Sequence, residues 1–206
     1  MSITSYSTLK SSIADWLLRD DLTSVIPTFI SLSEAQINRD IRDHRMVKRA
    51  TADVDTKYFL KPSDWIETIR FQLNTSPIAN LLFVTPDQAS EEQINYTASG
   101  KPKFFTNVGT QIEVVPTPDA IYAGELMYYS KVPALSDSNT DNWLLLAAPD
   151  IYLYGSLLQA APYLNDDTRI PVWQGLYRQG VEALKIQDER SRVGSSSLRM
   201  RPRAIA

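Results

Sequence analysis

The chain has 206 residues, of which 43% are apolar and 22% are charged, a composition typical of a folded globular protein. It contains no cysteine and one histidine, His44, which excludes disulfide frameworks, thiolate zinc sites, cysteine nucleophiles and multi-histidine metal sites. The net charge of −3 is unevenly distributed: no acidic residue follows Glu189, so the first 189 residues carry 16 basic and 24 acidic residues. Such an acidic body is a poor surface for nucleic acid, since contacts with phosphates dominate that affinity.

Two amphipathic helices are predicted in the first 45 residues. An apolar stripe at helical spacing predicts the first helix over about residues 6–19; its members are Leu9, Ile13, Trp16 and Leu17. A second stripe predicts a helix over about residues 24–44; its members are Ile26, Ile30, Ile37 and Ile41. Thr23 is the expected N-cap of that helix, with Pro27 in its first turn. Its opposite, polar face carries Glu34, Asn38, Arg42 and Arg45.

The middle of the chain has the pattern of strands. Apolar residues alternate with polar ones around Ile69, Phe71 and Leu73, and a further strand is predicted over Tyr122–Tyr129. A hairpin is predicted with its turn at Asn107-Val108-Gly109. One short helix interrupts the strands, because Thr85, Pro86 and Gln88 form a capping-box pattern.

The last third returns to helix. Pro149 and Asp150 open a segment that is apolar on nearly every side, which predicts a central buried helix that Pro162 kinks or ends. A final helix, with Asp166 or Asp167 as N-cap and Pro171 in its first turn, is predicted to run to about Arg190. Its expected apolar side comprises Val172, Trp173, Leu176, Tyr177, Val181 and Leu184.

These elements predict an α+β fold with a discontinuous helical domain. Residues 1–45 and 131–192 are expected to form a helical bundle, and residues 46–130 an inserted antiparallel β-rich domain. Residues 193–206 are expected to form an extended, flexible basic arm. No apolar run approaches the roughly 20 residues that cross a bilayer, and the N-terminal segment lacks the features of a signal peptide. We therefore expect that the protein does not associate with a membrane. We expect it to be made in a cytoplasm-like compartment.

The residues offer little for catalysis, so neither a catalytic site nor a cofactor or metal site is predicted. His44 lies between Asp43 and Arg45 at a predicted helix end and has no candidate serine nucleophile, so it is interpreted as a solvated, helix-terminal histidine. Adjacent carboxylates are interpreted as helix caps and surface residues, because neighbours in sequence do not share a helix face. These pairs are Asp20/Asp21, Glu91/Glu92 and Asp166/Asp167.

The aromatic residues are better explained by packing than by ligand stacking, because Lys and Arg do not alternate with them. Tyr and Trp are enriched in protein–protein interfaces, and the chain contains 10 tyrosines and 4 tryptophans. The residues predicted to pack in the core or between subunits are Trp143, Tyr152, Tyr154, Tyr163 and Trp173.

The segment from Tyr128 to Asp167 resembles the C-terminal signature of the head-to-tail adaptor proteins of tailed bacteriophages. The matching features are Tyr128-Tyr129, Pro133-Ala134-Leu135-Ser136, Asn142-Trp143-Leu144-Leu145, Pro149-Asp150 with Tyr152, Ala160-Ala161-Pro162-Tyr163-Leu164, Asp166-Asp167 and Trp173. The N-terminal helices and the central Gly100-Lys101-Pro102 and Val115-Pro116-Thr117-Pro118 segments resemble the family more loosely. One departure is Lys61-Pro62, where the family has Leu-Pro.

This resemblance implies a non-enzymatic virion protein of the neck or tail, made in the host cytoplasm. Such proteins form a ring, usually of twelve copies, beneath the portal protein; they receive a tail or nozzle protein and extend the channel through which viral DNA passes. The basic C-terminal residues are the expected portal contact: Arg190, Arg192, Arg199, Arg201 and Arg203. Loose contact with DNA in the channel is an alternative role for that arm.

Three other functions stay open at this point. A stopper or nozzle-ring subunit would also lie in the neck, although such proteins are expected to consist mostly of strands. A virion-associated cell-wall hydrolase would need an acidic catalytic pair. A DNA-binding regulator is disfavoured by the acidic body.

Overall fold

The computed structural model of the chain describes residues 2–164 and 168–193, apart from the side chains of Asp20 and Val193. Its Cα positions divide into two compact units, which we call the helical unit and the sheet unit. The sheet unit is Met46–Lys131, and the helical unit comprises the described residues before and after it. The fold is α+β, as the sequence predicts.

The described residues contain six α-helices. They are α1 (Tyr6–Leu17), α2 (Ile26–Asp40), α3 (Pro86–Asn95), α4 (Trp143–Ala147), α5 (Pro149–Gln159) and α6 (Ile170–Val193). Short 3₁₀ turns lie at Asp20–Leu22, His44–Met46 and Ala161–Tyr163. None of the described helices is both long and apolar enough to span a membrane.

The helix ends explain where the sequence-based bounds were wrong. The first helix begins with a capping box between Ser5 and Thr8, and it ends two residues early because Leu18 adopts a left-handed conformation with φ of 54°. Thr23 is not the N-cap of α2: the 3₁₀ turn delays the helix, and Val25 occupies the cap position without a side-chain hydrogen bond. This helix ends at Asp40, because the next residue is already extended.

The helix α5 is the centre of the helical unit, as the sequence predicts. It packs against α1, α2, α4 and α6, and Ile151, Tyr152 and Leu157 are fully buried. Gly155 allows α5 to lie close to α2 and α6, because a Cβ atom at this position would collide with Ser33 Oγ of α2 and lie 3.2 Å from the Tyr177 ring of α6. The predicted apolar side of α6 is buried at Trp173, Tyr177, Val181 and Leu184, whereas Val172 is 60% exposed and was wrongly assigned to it.

The sheet unit contains eight strands. They are β1 (Val47–Val54), β2 (Tyr58–Leu60), β3 (Trp65–Leu73), β4 (Ala79–Asn80), β5 (Leu82–Phe83), β6 (Phe104–Val108), β7 (Gln111–Val115) and β8 (Tyr122–Ser130). The first sheet has the order β1-β8-β3-β4 and is antiparallel throughout. The second sheet has the order β2-β7-β6-β5, and its β5–β6 pair is parallel, an exception to the antiparallel pairing expected from the sequence.

The two sheets share one apolar core. It includes Phe71 and Leu126 from the first sheet and Phe105, Ile112 and Val114 from the second. The helix α3 begins with the predicted capping box of Thr85 and Gln88. The sheet unit thus buries an apolar core of its own between its two sheets.

Two local predictions in the sheet unit need correction. The turn of the β6–β7 hairpin is Gly109-Thr110, two residues later than expected, because Val108 still pairs with Gln111 and Gly109 supplies the positive φ of 55°. The strand β3 exists, but its alternation breaks at Ile69, which is 43% exposed. A bulge between Thr68 and Arg70 inserts this extra residue and turns its side chain to solvent.

Candidate functional site

The aromatic residues predicted for packing fall into two groups. Tyr152 and Trp173 are buried inside the helical unit, so their packing is internal. The other three reach its surface: Trp143 and Tyr154 are half-buried, and Tyr163 is 49% exposed. Each of these three is held by a neighbour: Tyr154 packs edge-on against Trp16, Tyr163 against Phe29, and the Arg45 guanidinium lies 4.4 Å from the centre of the Trp143 ring.

The segment that returns from the sheet unit is fixed to α2 by side chains on the polar face of that helix. Asn38 Oδ1 accepts a hydrogen bond from the Val132 backbone N–H at 2.9 Å. One turn earlier, Glu34 Oε1 accepts one from the Leu135 N–H at 2.7 Å. The Glu34 side chain is buried, and this burial raises its pKa despite the two hydrogen bonds it accepts. These residues hold the returning chain, a role that periodicity alone did not predict.

Asn142 connects three parts of the same region. Its Oδ1 caps α4 by accepting from the Leu145 N–H at 2.8 Å. Its Nδ2 donates to the Pro133 carbonyl and to the Tyr152 hydroxyl, both at 2.7 Å. The Tyr152 hydroxyl also donates to Glu34 at 3.4 Å, and burial followed by the Glu34 charge raises the pKa of this tyrosine. Together these groups form a buried polar network between α2, the returning segment and α5.

An ion-pair cluster, which we call the α6 clasp, joins the last turns of α6 to the turn after α2. It consists of Asp43, His44, Arg45, Asp188 and Arg192. Asp188 Oδ1 accepts from the His44 backbone N–H and from its Nδ1, both at 2.7 Å. Asp188 Oδ2 pairs with Arg192 Nε at 2.8 Å. The His44 side chain is 47% exposed, but it does not lie at the end of α2 as expected, since that helix ends at Asp40. Instead, the His44 ring binds Asp188 of α6.

The α6 clasp holds two carboxylates in the charged form. Burial opposes this at Asp188, but the His44 and Arg192 contacts outweigh it and lower its pKa. Burial likewise opposes ionisation at Asp43, and the two Arg45 contacts at 2.8 and 2.7 Å lower its pKa. Asp43, His44 and Asp188 bring ligand atoms within 4.8 Å of one another, as a metal site would. Because arginines already neutralise both carboxylates, the geometry favours an ion-pair cluster over a metal site.

The predicted portal-contact residues are only partly described. Arg190 and Arg192 are exposed in the last turn of α6, where Arg192 belongs to the α6 clasp. Arg199, Arg201 and Arg203 lie outside the described residues, as do the predicted caps Asp166 and Asp167 and the arm from residue 194 onward. The described structure thus fixes where the basic segment begins.

The family model described as SU10 adaptor protein matches residues 4–202. The chain belongs to this phage head–tail adaptor family. No curated protein matches the chain. The resemblance identified from the sequence is therefore confirmed, and family membership assigns a structural role at the head–tail junction, in the virion, in contact with other virion proteins.

In this adaptor, the motifs that carry the resemblance have an architectural role. Pro133, Leu135, Asn142 and Tyr152 all take part in the polar network or its returning segment. Glu34, which binds Leu135 and Tyr152, and Asn38, which binds the neighbouring Val132, could have been found from sequence only as two polar residues at i and i+4 on α2. The family motifs therefore contain residues that hold the returning segment against α2.

Proposed function

We propose that the adaptor assembles into a ring of twelve copies that joins the portal to the tail and extends the DNA channel. The observation that carries the proposal is the family match, which spans residues 4–202 and so both units of the fold. A ring needs two different contact surfaces on each copy, because the contacts are head-to-tail.

The charge distribution supports a channel through which DNA slides. The first 189 residues have 16 basic and 24 acidic residues, so most of the chain repels a phosphate backbone. DNA would then pass without sequence-specific binding. The arginines that follow Glu189 are then available to bind a partner other than DNA.

We assign that partner to the portal. Five arginines and no acidic residue follow Glu189, and the α6 clasp orients the helix from which this segment extends. Arginine side chains pair well with carboxylates on a partner surface. The basic segment from Arg190 onward is thus proposed to bind an acidic face of the portal.

Native mass measurement tests the proposal. The native mass of the purified 23.2 kDa chain is measured alone and after mixing with the portal ring of the same phage. We expect a complex with one adaptor chain per portal subunit. If the chain and the portal ring do not associate, the proposal is wrong.

A second comparison separates the role of the arm from that of the ring. Replacing Arg199, Arg201 and Arg203 by glutamate should weaken portal binding at least tenfold, while lysine at the same positions should weaken it less, because lysine keeps the charge but loses the bidentate pairing. Equal binding by the glutamate variant would assign the portal contact to another surface. Retention of the salt dependence of any DNA binding in that variant would exclude the arm as a DNA contact.

A further inference from the structure

We propose that the free chain forms a symmetric dimer in which β1 of one copy pairs antiparallel with β1 of a second copy. The partner is thus a second copy of this chain, held by backbone hydrogen bonds along two identical strand edges. The contact is two-fold, whereas copies in a ring meet head to tail, so the dimer belongs to the chain before it joins the portal. The inference goes beyond the proposed ring and does not depend on it.

The outer edge of β1 is open along the whole strand. In the sheet order β1-β8-β3-β4, β1 is a terminal strand, and its eight residues pair with β8 without a bulge. Within residues 2–164 and 168–193, no backbone hydrogen bond reaches the other side of β1. An unpaired edge of this length is a template for pairing with another chain.

The backbone groups at this edge belong to Arg49, Thr51 and Asp53. The Ala123 carbonyl accepts from the Asn74 N–H, so alternate residues of β8, counted from Ala123, point their backbone groups toward β3. The residues between them therefore hydrogen-bond to β1, where their partners are the even-numbered residues. The N–H and C=O groups of Arg49, Thr51 and Asp53 consequently point to the open edge.

The side chains of these three residues lie on the outer face of the first sheet. Ala50 packs against the core of the sheet unit, and side chains alternate along a strand, so its odd-numbered neighbours face away from the core. Arg49, Thr51 and Asp53 are all exposed. No described residue forms an ion pair with Arg49 or Asp53. Both charges are thus available to a partner.

The order of these residues is self-complementary in an antiparallel pair. With Thr51 of the two copies opposite each other, Arg49 of each copy lies opposite Asp53 of the other. These three pairs each exchange two backbone hydrogen bonds, and two of them join opposite charges. Shifting the register by two residues separates Arg49 from Asp53, and shifting it by one residue turns outer side chains toward the core. The pattern therefore selects the register centred on Thr51.

The second copy also covers an apolar groove beside β1. The groove has a volume of about 220 Å³, and its walls include Ala50 and Val54 of β1 with Phe59 and Leu60 of β2. Leu60 is 73% exposed. In the proposed register, Ala50 of one copy lies opposite Ala52 of the other on the core side, so the incoming strand fits along the groove with small side chains. Burial of this apolar surface adds to the hydrogen bonds of the edge.

Disulfide trapping tests the centre of the pairing, because the chain contains no cysteine. Thr51 meets its own copy at the two-fold axis, where opposite Cα atoms of a hydrogen-bonded antiparallel pair lie about 5.5 Å apart, within the range of a disulfide bond. The single variant T51C should therefore oxidise readily to a covalent dimer. The variant T110C has the same substitution in the exposed β6–β7 turn and should form dimers at least tenfold more slowly. Equal rates for the two variants would overturn the proposal.

Charge exchange tests the register. Arg49→Asp should raise the dissociation constant of the dimer at least tenfold, because it sets an acidic side chain opposite Asp53 at both ends of the pairing. Asp53→Arg should do the same by setting a second arginine opposite Arg49. Mixing equal amounts of the two single variants should restore the dimer, because opposite charges then face each other at both ends. Sedimentation velocity measures all three dissociation constants.

A matched substitution controls for net charge. Arg178→Asp makes the same exchange at an exposed position of α6 and should leave the dimer unchanged. Circular dichroism checks that each variant is folded.

Three results would overturn the dimer. They are a wild-type chain that stays monomeric throughout the accessible concentration range, a dimer that tolerates both charge substitutions, and a mixture of the single variants that stays monomeric. None of them bears on the native mass expected with the portal ring, so the proposed function stands or fails separately.

Discussion

The side-chain nitrogen of Asn142 lies 2.7 Å from the hydroxyl oxygen of Tyr152, inside the helical unit. Both residues belong to the motifs by which the chain resembles its family, yet neither is exposed enough to form an intermolecular contact. Their bond couples the N-cap of α4 to the central helix α5. The stability of the helical unit should therefore depend on this one amide.

Replacing Asn142 by alanine should lower the free energy of unfolding of the helical unit by about 3 kcal/mol, from the lost cap and the unpaired buried groups. Urea unfolding followed by circular dichroism measures the change. Asn139→Ala removes an exposed amide from the same segment and should cost less than about 1 kcal/mol. Equal losses for the two variants would contradict the importance of the buried network.

The charge of Glu34 should cost stability at neutral pH. Since burial raises its pKa, the folded chain holds this proton more tightly than the unfolded chain does. The stability that protonated Glu34 contributes is fully present below the ordinary pKa of 4.5, and it is lost as the pH rises through the raised folded pKa. In Glu34→Gln, an amide oxygen still accepts from Leu135, and this pH dependence should disappear. Urea midpoints between pH 4 and pH 8 measure the effect.

Glu34→Ala provides the matched comparison. It removes the acceptor as well as the charge, so it leaves the buried Leu135 N–H without its partner. We expect a loss of about 1–3 kcal/mol at neutral pH, where Glu34→Gln is neutral or stabilising. The idea fails if glutamine is as destabilising as alanine.

Two glycine substitutions should have opposite effects. Gly155→Ala places a methyl group against Ser33 and the Tyr177 ring, which should destabilise the helical unit by about 1–3 kcal/mol. Gly175→Ala meets no atom within 4 Å on α6 and should stabilise it by about 0.5–1 kcal/mol through helix propensity. Thermal unfolding of both variants checks the contrast, and a stable Gly155→Ala would show that the α2–α5–α6 contact relaxes easily.

The sheet unit should lose stability at alkaline pH. Burial, and then the hydrogen bond to Asp64, raise the pKa of Tyr128 from 10.0 to about 12. The folded chain therefore keeps this proton when the unfolded chain has lost it, so the contribution is complete below pH 10 and is lost as the pH rises through about 12. In Tyr128→Phe, unfolding experiments across this range should show a weaker pH dependence. An unchanged slope would exclude Tyr128 as its source.

Periodicity was sufficient to predict the main elements of the fold. The apolar stripes of α1, α2 and α5 and the alternation of β8 depend on which side of one element faces the core, so local spacing contains that information. The errors arose where backbone geometry mattered more. The bulge at Ile69 and the turn at Gly109 depend on pairing with another strand, and the 3₁₀ turn before α2 displaced its cap.

The candidate site was harder to predict because its contacts are distant in sequence. Glu34 and Leu135 are separated by 101 residues, and His44 and Asp188 by 144. No spacing rule relates such residues, so His44 was interpreted only from its neighbours in the chain. The basic composition after Glu189, in contrast, is visible in the sequence, which is why Arg190 and Arg192 were selected.

The two ends of the sheet unit leave it side by side. Val47 at the start of β1 is paired with Tyr129 near the end of β8, and the Ser130 hydroxyl donates to the Met46 carbonyl at 3.0 Å. For the helical unit, the 86 residues from Met46 to Lys131 are therefore equivalent to one short connection. An insertion attached in this way can grow, shrink or be exchanged during evolution while α2 and the returning segment keep their contacts. Phages could thus adapt one part of an adaptor to new neighbours and conserve the other.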